Sequence, residues 1–155
     1  MADLTVKITE TISLNGKDQG GTYSKTISGI NDIYKRIVTV PSGGDTTIAT
    51  FQTAVSTSDV AMDLESIKYI RVTNLDSTNS VNLSLQIAGG EDGSANMSAT
   101  VLLEAGKSFM LGTVHDGIAV DDDAAGIVTA LTDLESILVD SASNAVQLEV
   151  LIASA

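Results

Sequence analysis

His115 is the one histidine of the chain, and Asp116 follows it directly. A Ser-His-Asp arrangement would need a nucleophile on a strained elbow, and no such motif is present. Adjacent side chains on a strand also point apart, so His115 and Asp116 are not expected to act together. Asp121, Asp122 and Asp123 are the best metal candidate: three carboxylates in an Ala/Gly-rich loop could hold Ca²⁺ with backbone carbonyls. The D-x-D-x-D-G spacing is absent, however, and consecutive carboxylates cannot all face one ion. An exposed acidic loop is the better reading, and Glu91-Asp92 reads the same way. The pairs Gly20-Gly21, Gly43-Gly44 and Gly89-Gly90 lack the spacings of phosphate-cradling loops and read as turns. With no cysteine there is no disulfide staple, thiolate metal site or cysteine nucleophile. The expectation is a chain without catalytic, cofactor-binding or metal-binding residues, and so not an enzyme.

Charge narrows the partners. The net charge is −12, which argues against nucleic acid, because phosphate contacts need clustered Lys and Arg. All eight basic residues lie at or before Lys107, and Ser108 to Ala155 holds eight acids. That acidic third could face a basic partner, although keeping a particle soluble explains it as well. Lys35-Arg36, with Lys25 and Tyr34 nearby in sequence, is the only local basic spot. It could meet an acidic surface on a neighbouring copy; two solvated side chains on a strand is the plainer reading. The start, Met1-Ala2-Asp3-Leu4, has neither a basic nor an apolar leader region, and no apolar run approaches the ~18 residues of a membrane span. The expectation is a soluble protein made in a cytoplasm, with no membrane partner.

The elements that would position any surface are strands. In Ile67 to Ala88, residues Val81, Leu83, Leu85 and Ile87 alternate with Asn82, Ser84 and Gln86, and Ile70 and Val72 alternate with Arg71 and Thr73. Asn74 to Ser80 is rich in turn formers, so the stretch predicts a β-hairpin with a polar tip. A related segment closes the chain: Asp63 to Ile67 recurs as Asp133 to Ile137, and Ser77 to Ala88 aligns with Ala142 to Ala153, a degenerate duplication at best that two strands shaped by the same binary pattern explain as well. Before this, Leu4, Val6 and Ile8 alternate, Asn15-Gly16 is a strong hairpin signal, and Thr22 to Ser28 returns. Gly29 to Asp32 predicts another turn, Ile33 to Val40 a strand, Pro41 to Asp45 a break, and Thr46 to Ala54 a strand. The first half thus reads as a four-strand meander. Ser56 to Glu65 is irregular. Ala99 to Glu104 and Lys107 to Leu111 predict a second tight hairpin about Ala105-Gly106. Thr113 to Gly126 is an acidic loop, Ile127 to Leu131 and Ile137 to Val139 are short strands, and Ala145 to Ala153 is a last strand with Val146, Leu148, Val150 and Ile152 inward. About ten short strands with turn signals every eight to twelve residues predict an all-β fold: one domain over residues 1–155, an antiparallel β-sandwich or jelly roll. With no Trp and few Tyr or Phe, its core must be aliphatic.

The stretches LTVKITETISLNG and ISGINDIYKRIVTVP, then IRVTNLDSTNSVNLSLQI, LLEAGKSFMLG and LTDLESILVDSASNAVQLEVLIAS, resemble segments of small virion proteins of tailed bacteriophages, especially phages of marine cyanobacteria. The resemblance spans most of the chain and carries over no catalytic residue. It implies a non-enzymatic virion structural protein: a capsid decoration or cement subunit in many copies, a homo-oligomer such as a trimer, contacting the major capsid protein or tail and neck proteins. The alternative in that class is a neck, tail or fibre-associated subunit. A carbohydrate-binding module for host attachment is the other class. It is weakened by the lack of Trp, with Tyr23, Tyr34, Tyr69, Phe51 and Phe109 the only aromatics available to stack on sugars.

Overall fold

Among the described residues, ten strands of five residues or more and four two-residue strands carry the alternating apolar pattern. The computed structural model describes residues 1–52, 61–87, 97–112, 119–120 and 132–155. The first four strands are β1 (Ala2–Glu10), β2 (Ser13–Leu14), β3 (Lys17–Asp18) and β4 (Gly21–Ile30). They form one long hairpin with a widened tip: β1 pairs β4 antiparallel from Ala2↔Ile30 to Glu10↔Gly21, and β2 pairs β3. Asn15 and Gly16 both take positive φ, 53° and 75°, the type I′ geometry whose twist matches the strands.

The other strands roll into two sheets. They are β5 (Asp32–Val40), β6 (Asp45–Gln52), β7 (Met62–Asp63), β8 (Ile67–Asn74), β9 (Val81–Ile87), β10 (Met97–Leu103), β11 (Ser108–Gly112), β12 (Ala119–Val120), β13 (Thr132–Asp140) and β14 (Val146–Ser154). One sheet has the order β11-β8-β14-β5. The other has β10-β9-β13-β6-β7, with β12 on β13. If β7 and β12 are set aside, the eight remaining strands nest: first beside last (β5, β14), second beside seventh (β6, β13), third in the sheet with sixth (β8, β11), fourth beside fifth (β9, β10). That is one long antiparallel ribbon rolled upon itself, the topology of a jelly roll. The expected all-β, antiparallel two-sheet sandwich is therefore the fold.

Two expected hairpins and the meander are not formed. β8 and β9 lie in different sheets, as do β10 and β11, so each pair is an arch that crosses the sandwich. The reason is burial. Both halves of Ile67–Ile87 carry one apolar face, and in an arch those faces oppose each other across the core. In the first half, β5 pairs with β14 and β6 with β13, both far away in sequence, so only β1 and β4 form a local hairpin. At Gly29 to Asp32 the chain turns a corner instead of reversing: Gly29 has φ +83°, which an L side chain rarely adopts, and Asn31 N–H donates to the Ser154 carbonyl at 2.9 Å.

The core lies between the sheets and is almost wholly aliphatic, with Phe51 as its buried phenyl ring. Ile70, Val72, Leu148, Val150 and Ile152 from one sheet meet Leu83, Leu85, Ile137 and Val139 from the other, and the residues expected inward on β14 are all buried. Each such side chain contributes roughly 1.5–3 kcal/mol relative to exposure.

The arches are tied to one another. Asn74, fully buried, donates through Nδ2 to the carbonyls of Asn79 (2.8 Å) and Leu103 (3.2 Å), and its Oδ1 accepts from the Asp76 N–H at 2.9 Å. Ser141 Oγ donates to the Pro41 carbonyl at 2.7 Å, which joins the β13–β14 arch to the β5–β6 arch. Asp76 accepts from the Thr78 and Asn79 backbone N–H groups, both at 2.8 Å, and these bonds hold its carboxyl down at about 2. The two similar segments take matching places here. β8–β9 and β13–β14 are both arches, β8 pairs β14, and β9 pairs β13. Asn79 and Asn144, equivalent in the alignment, bond to each other at 3.0 Å.

Candidate interaction surfaces

The two outer faces differ in chemistry. On the β9–β10 side Ser84 Oγ accepts from Thr100 Oγ1 at 3.1 Å and from Gln86 Nε2 at 2.8 Å, a hydroxyl and amide surface that water can solvate. On the β8–β14 side the outward residues include Tyr69, Leu151 and Ala153. The base of the β1/β4 hairpin covers them: Ile27, Ile30, Tyr69 and Ala153 form a second small core, with Leu4, Val6 and Leu151 packed against it. Burial raises the Tyr69 phenol above its usual value, partly offset by the Arg71 guanidinium.

Beyond that base the hairpin stands away from the body. Its inward face continues with Ile8 opposite Tyr23, and the tip carries Ile12 and Leu14; these four are 39, 60, 53 and 59% exposed. A two-stranded ribbon with apolar side chains in water is marginal by itself, and apolar groups gathered on a projection mark a contact surface. Between this arm and the sheet lies a cleft of about 510 Å³, lined by Val6, Ile8, Tyr23, Tyr69, Met110 and Gly112 among others. A second cleft, of about 400 Å³, lies further under the arm beside Arg71 and Leu151.

The basic spot is divided by the pleat. Lys35 faces outward and pairs with Glu149 of its own chain at 3.3 Å, and Arg71 Nη2 donates to the other oxygen of that carboxylate. The Arg71 Nε is buried without a partner. Arg36 faces the other way and lies over the Tyr34 ring, 5.2 Å from its centroid. Lys35 thus has an ion pair within the chain while its side chain stays largely exposed. Ion pairs this exposed are worth about 0–1 kcal/mol. Lys25 sits apart, on the wall of the larger cleft.

Among the described residues β5 is an edge strand, paired with β14 alone, and a smaller cleft of about 340 Å³ opens between it and β6. The last strand is not an edge. β14 lies between β8 and β5, so it cannot offer itself for pairing across subunits. Gly20-Gly21 lies at the distal end of the arm and Gly43-Gly44 in the β5–β6 arch, both as turns or strand ends. His115, Asp116, Asp121 to Asp123, Gly89-Gly90, Glu91-Asp92 and the expected strand at Ile127 to Leu131 lie outside the described residues. Among the described residues no three His, Cys, Asp or Glu side chains gather as a metal site, and no helix is long and apolar enough to cross a membrane.

A jelly roll with a projecting hairpin is the class that these observations define. No family model matches the chain, and no curated protein matches it. Among solved structures, one reported as "Bacillus endospore appendages form a novel family of disulfide-linked pili" is similar over 83% of this chain and 89% of that one, at 12% identity and a TM-score of 0.41.

Proposed function

We propose that this chain is a non-enzymatic structural subunit of a tailed-phage virion, a capsid decoration or cement protein that acts through protein–protein contacts. The observation that carries the reading is the arm: a hairpin that holds Ile8, Ile12, Leu14 and Tyr23 out in water from a tightly packed body. A jelly roll whose interior is filled by aliphatic side chains offers surfaces, and the arm is one that gathers exposed apolar side chains. The virion assignment itself rests on the resemblance of segments along the chain to small virion proteins. A neck, tail or fibre position uses the same surfaces.

Purified protein mixed with empty capsids, and separately with tails, is expected to sediment with one of them, and capsids are the expected carrier. Sedimentation with tails alone would move the subunit to the tail. Sedimentation with neither, under conditions where a known decoration protein binds, would contradict the reading.

A further inference from the structure

We propose that the tip of the arm is a site of spontaneous covalent modification: Asn15 deamidates in the folded protein, and the change disables the tip as a contact. Asn15 and Gly16 are both exposed, and nothing lies within 4 Å of the place a Cβ on Gly16 would take, so the Gly16 nitrogen is open to approach. Among the described residues the Asn15 amide has no hydrogen-bond partner. Asn74, Asn79 and Asn144 differ on both counts: their amides donate to Leu103, Asp76 and Asn79, and the residues after them, Leu75, Ser80 and Ala145, carry side chains. The backbone is also placed for the reaction. Closing the ring needs an Asn15 ψ of about −120°, the value at the first central residue of a type II′ turn, and types I′ and II′ share the positive φ there. Asn15 already has φ 53°, so a flip of one peptide reaches the reactive geometry between two turns that both suit a hairpin. The strands that flank the turn, β2 and β3, are two residues each and fully exposed, so little holds the flip back.

The step needs only water. The Gly16 nitrogen gives up its proton and bonds to Cγ of Asn15, which closes a five-membered succinimide, and the side-chain nitrogen leaves as ammonia. Water then opens the ring. Cleavage of the N–Cγ bond gives aspartate on the ordinary backbone; cleavage of the bond to the main-chain carbonyl carbon gives isoaspartate, whose backbone runs through Cβ and Cγ. Ammonia lost and water gained leave one added mass unit and one new negative charge. That carboxylate stands beside the exposed Ile12 and Leu14 and must be desolvated when the tip is covered. The isoaspartyl product also adds a backbone carbon to a two-residue turn, so the Leu14↔Lys17 pairing that closes the tip is lost.

The chemistry is tested without particles; its consequence rests on the reading of the arm as the contact device. The full chain is kept warm at neutral pH, sampled over time and digested with trypsin. Cleavage after Lys7 and Lys17 isolates residues 8–17, in which Asn15 is the only side-chain amide. That peptide is expected to gain one mass unit at a rate within about tenfold of the same peptide free in solution, because a tip that opens at little cost reacts almost as an unfolded chain does. Isoaspartyl methyltransferase is expected to label part of the product, and Asn15→Gln to show neither change. A folded chain whose 8–17 peptide stays unaltered while the free peptide converts would overturn the proposal, as would an earlier gain at Asn79 or Asn144. The converted chain, separated by its extra charge, is then compared with fresh chain in the sedimentation assay with particles, where it is expected to bind roughly tenfold more weakly, while Asn15→Gln kept equally long retains its binding. Equal binding by converted and fresh chain would refute the disabling effect. Fresh chain that binds neither capsids nor tails would refute the virion reading instead, and the mass gain still decides the chemistry.

Discussion

Leu148→Asp is expected to unfold the domain at neutral pH, or to leave it barely folded. Leu148 is fully buried on β14, the strand between β5 and β8, and it lies in register with Val38 on one side and Asn74 on the other. The substitution removes an aliphatic side chain from a close-packed site, a change that costs about 2–5 kcal/mol even for Leu→Ala. It also puts a carboxylate where no cation is within the core, and an uncompensated buried charge costs a further several kcal/mol unless the group takes up a proton. Against a total stability of roughly 5–15 kcal/mol, that is most of what the fold has. Urea titration followed by circular dichroism reads the effect, and Gln147→Asp, one residue away with an exposed side chain, is the control, expected within about 0.5 kcal/mol of wild type. Equal midpoints for Leu148→Asp and wild type would show that the last strand is not in the core.

Asn74→Asp is expected to cost about 3 kcal/mol with no change in side-chain shape. The amide nitrogen of Asn74 donates to two carbonyls, those of Asn79 and Leu103, from a fully buried site. The substitution replaces that donor by an acceptor facing two other acceptors. Each buried backbone group left without a partner costs about 1–3 kcal/mol, and the new charge adds its desolvation. The bond from the Asp76 N–H survives, because Oδ1 remains. Two arch segments loosen together, since the same amide ties the β8–β9 arch to the end of β10. The urea midpoint at neutral pH is again the measurement; a midpoint unchanged from wild type would mean that the arches are not held through this side chain.

Neither effect is visible in local sequence to the same degree. The alternation in Val146, Leu148, Val150 and Ile152 marks the inward face of β14 without help from any other part of the chain, because a strand's period is intrinsic to it. The turn at Asn15-Gly16 is equally local. Pairing is different. Asn74 reads as one turn former among several, and nothing nearby says that its amide will meet Leu103, 29 residues on. The same limit explains the arches. A polar turn between two alternating strands is compatible with a hairpin or with a crossing between sheets, and the choice is made by β14 and β13, which occupy the places beside β8 and β9. The jelly roll is written in contacts between distant segments, so only its class could be read in advance.

The interaction surface was half legible. Leu4, Val6 and Ile8 alternate in sequence as one face of a strand does, with no sign of where that face stops being covered. Their division into a covered base and an exposed outer part follows from the corner at Gly29 to Asp32, which carries the hairpin over the β8–β14 face and ends its cover near Ile8. The basic pair Lys35-Arg36 looked like one patch because the residues are adjacent. Adjacent residues on a strand face opposite sides, and each side chain finds its contact within the chain.

Hydrogen–deuterium exchange, comparing the free subunit with the particle-bound one, bears most directly on the claim that the arm is the contact device. The account requires slowed exchange in the distal arm on binding, through Ile8 to Tyr23, with the rates in β8, β9, β13 and β14 unchanged because those strands are already closed. Unaltered exchange in the arm of a bound subunit, with new protection only on the hydroxyl-bearing β9–β10 face or along the β5 edge, would contradict it.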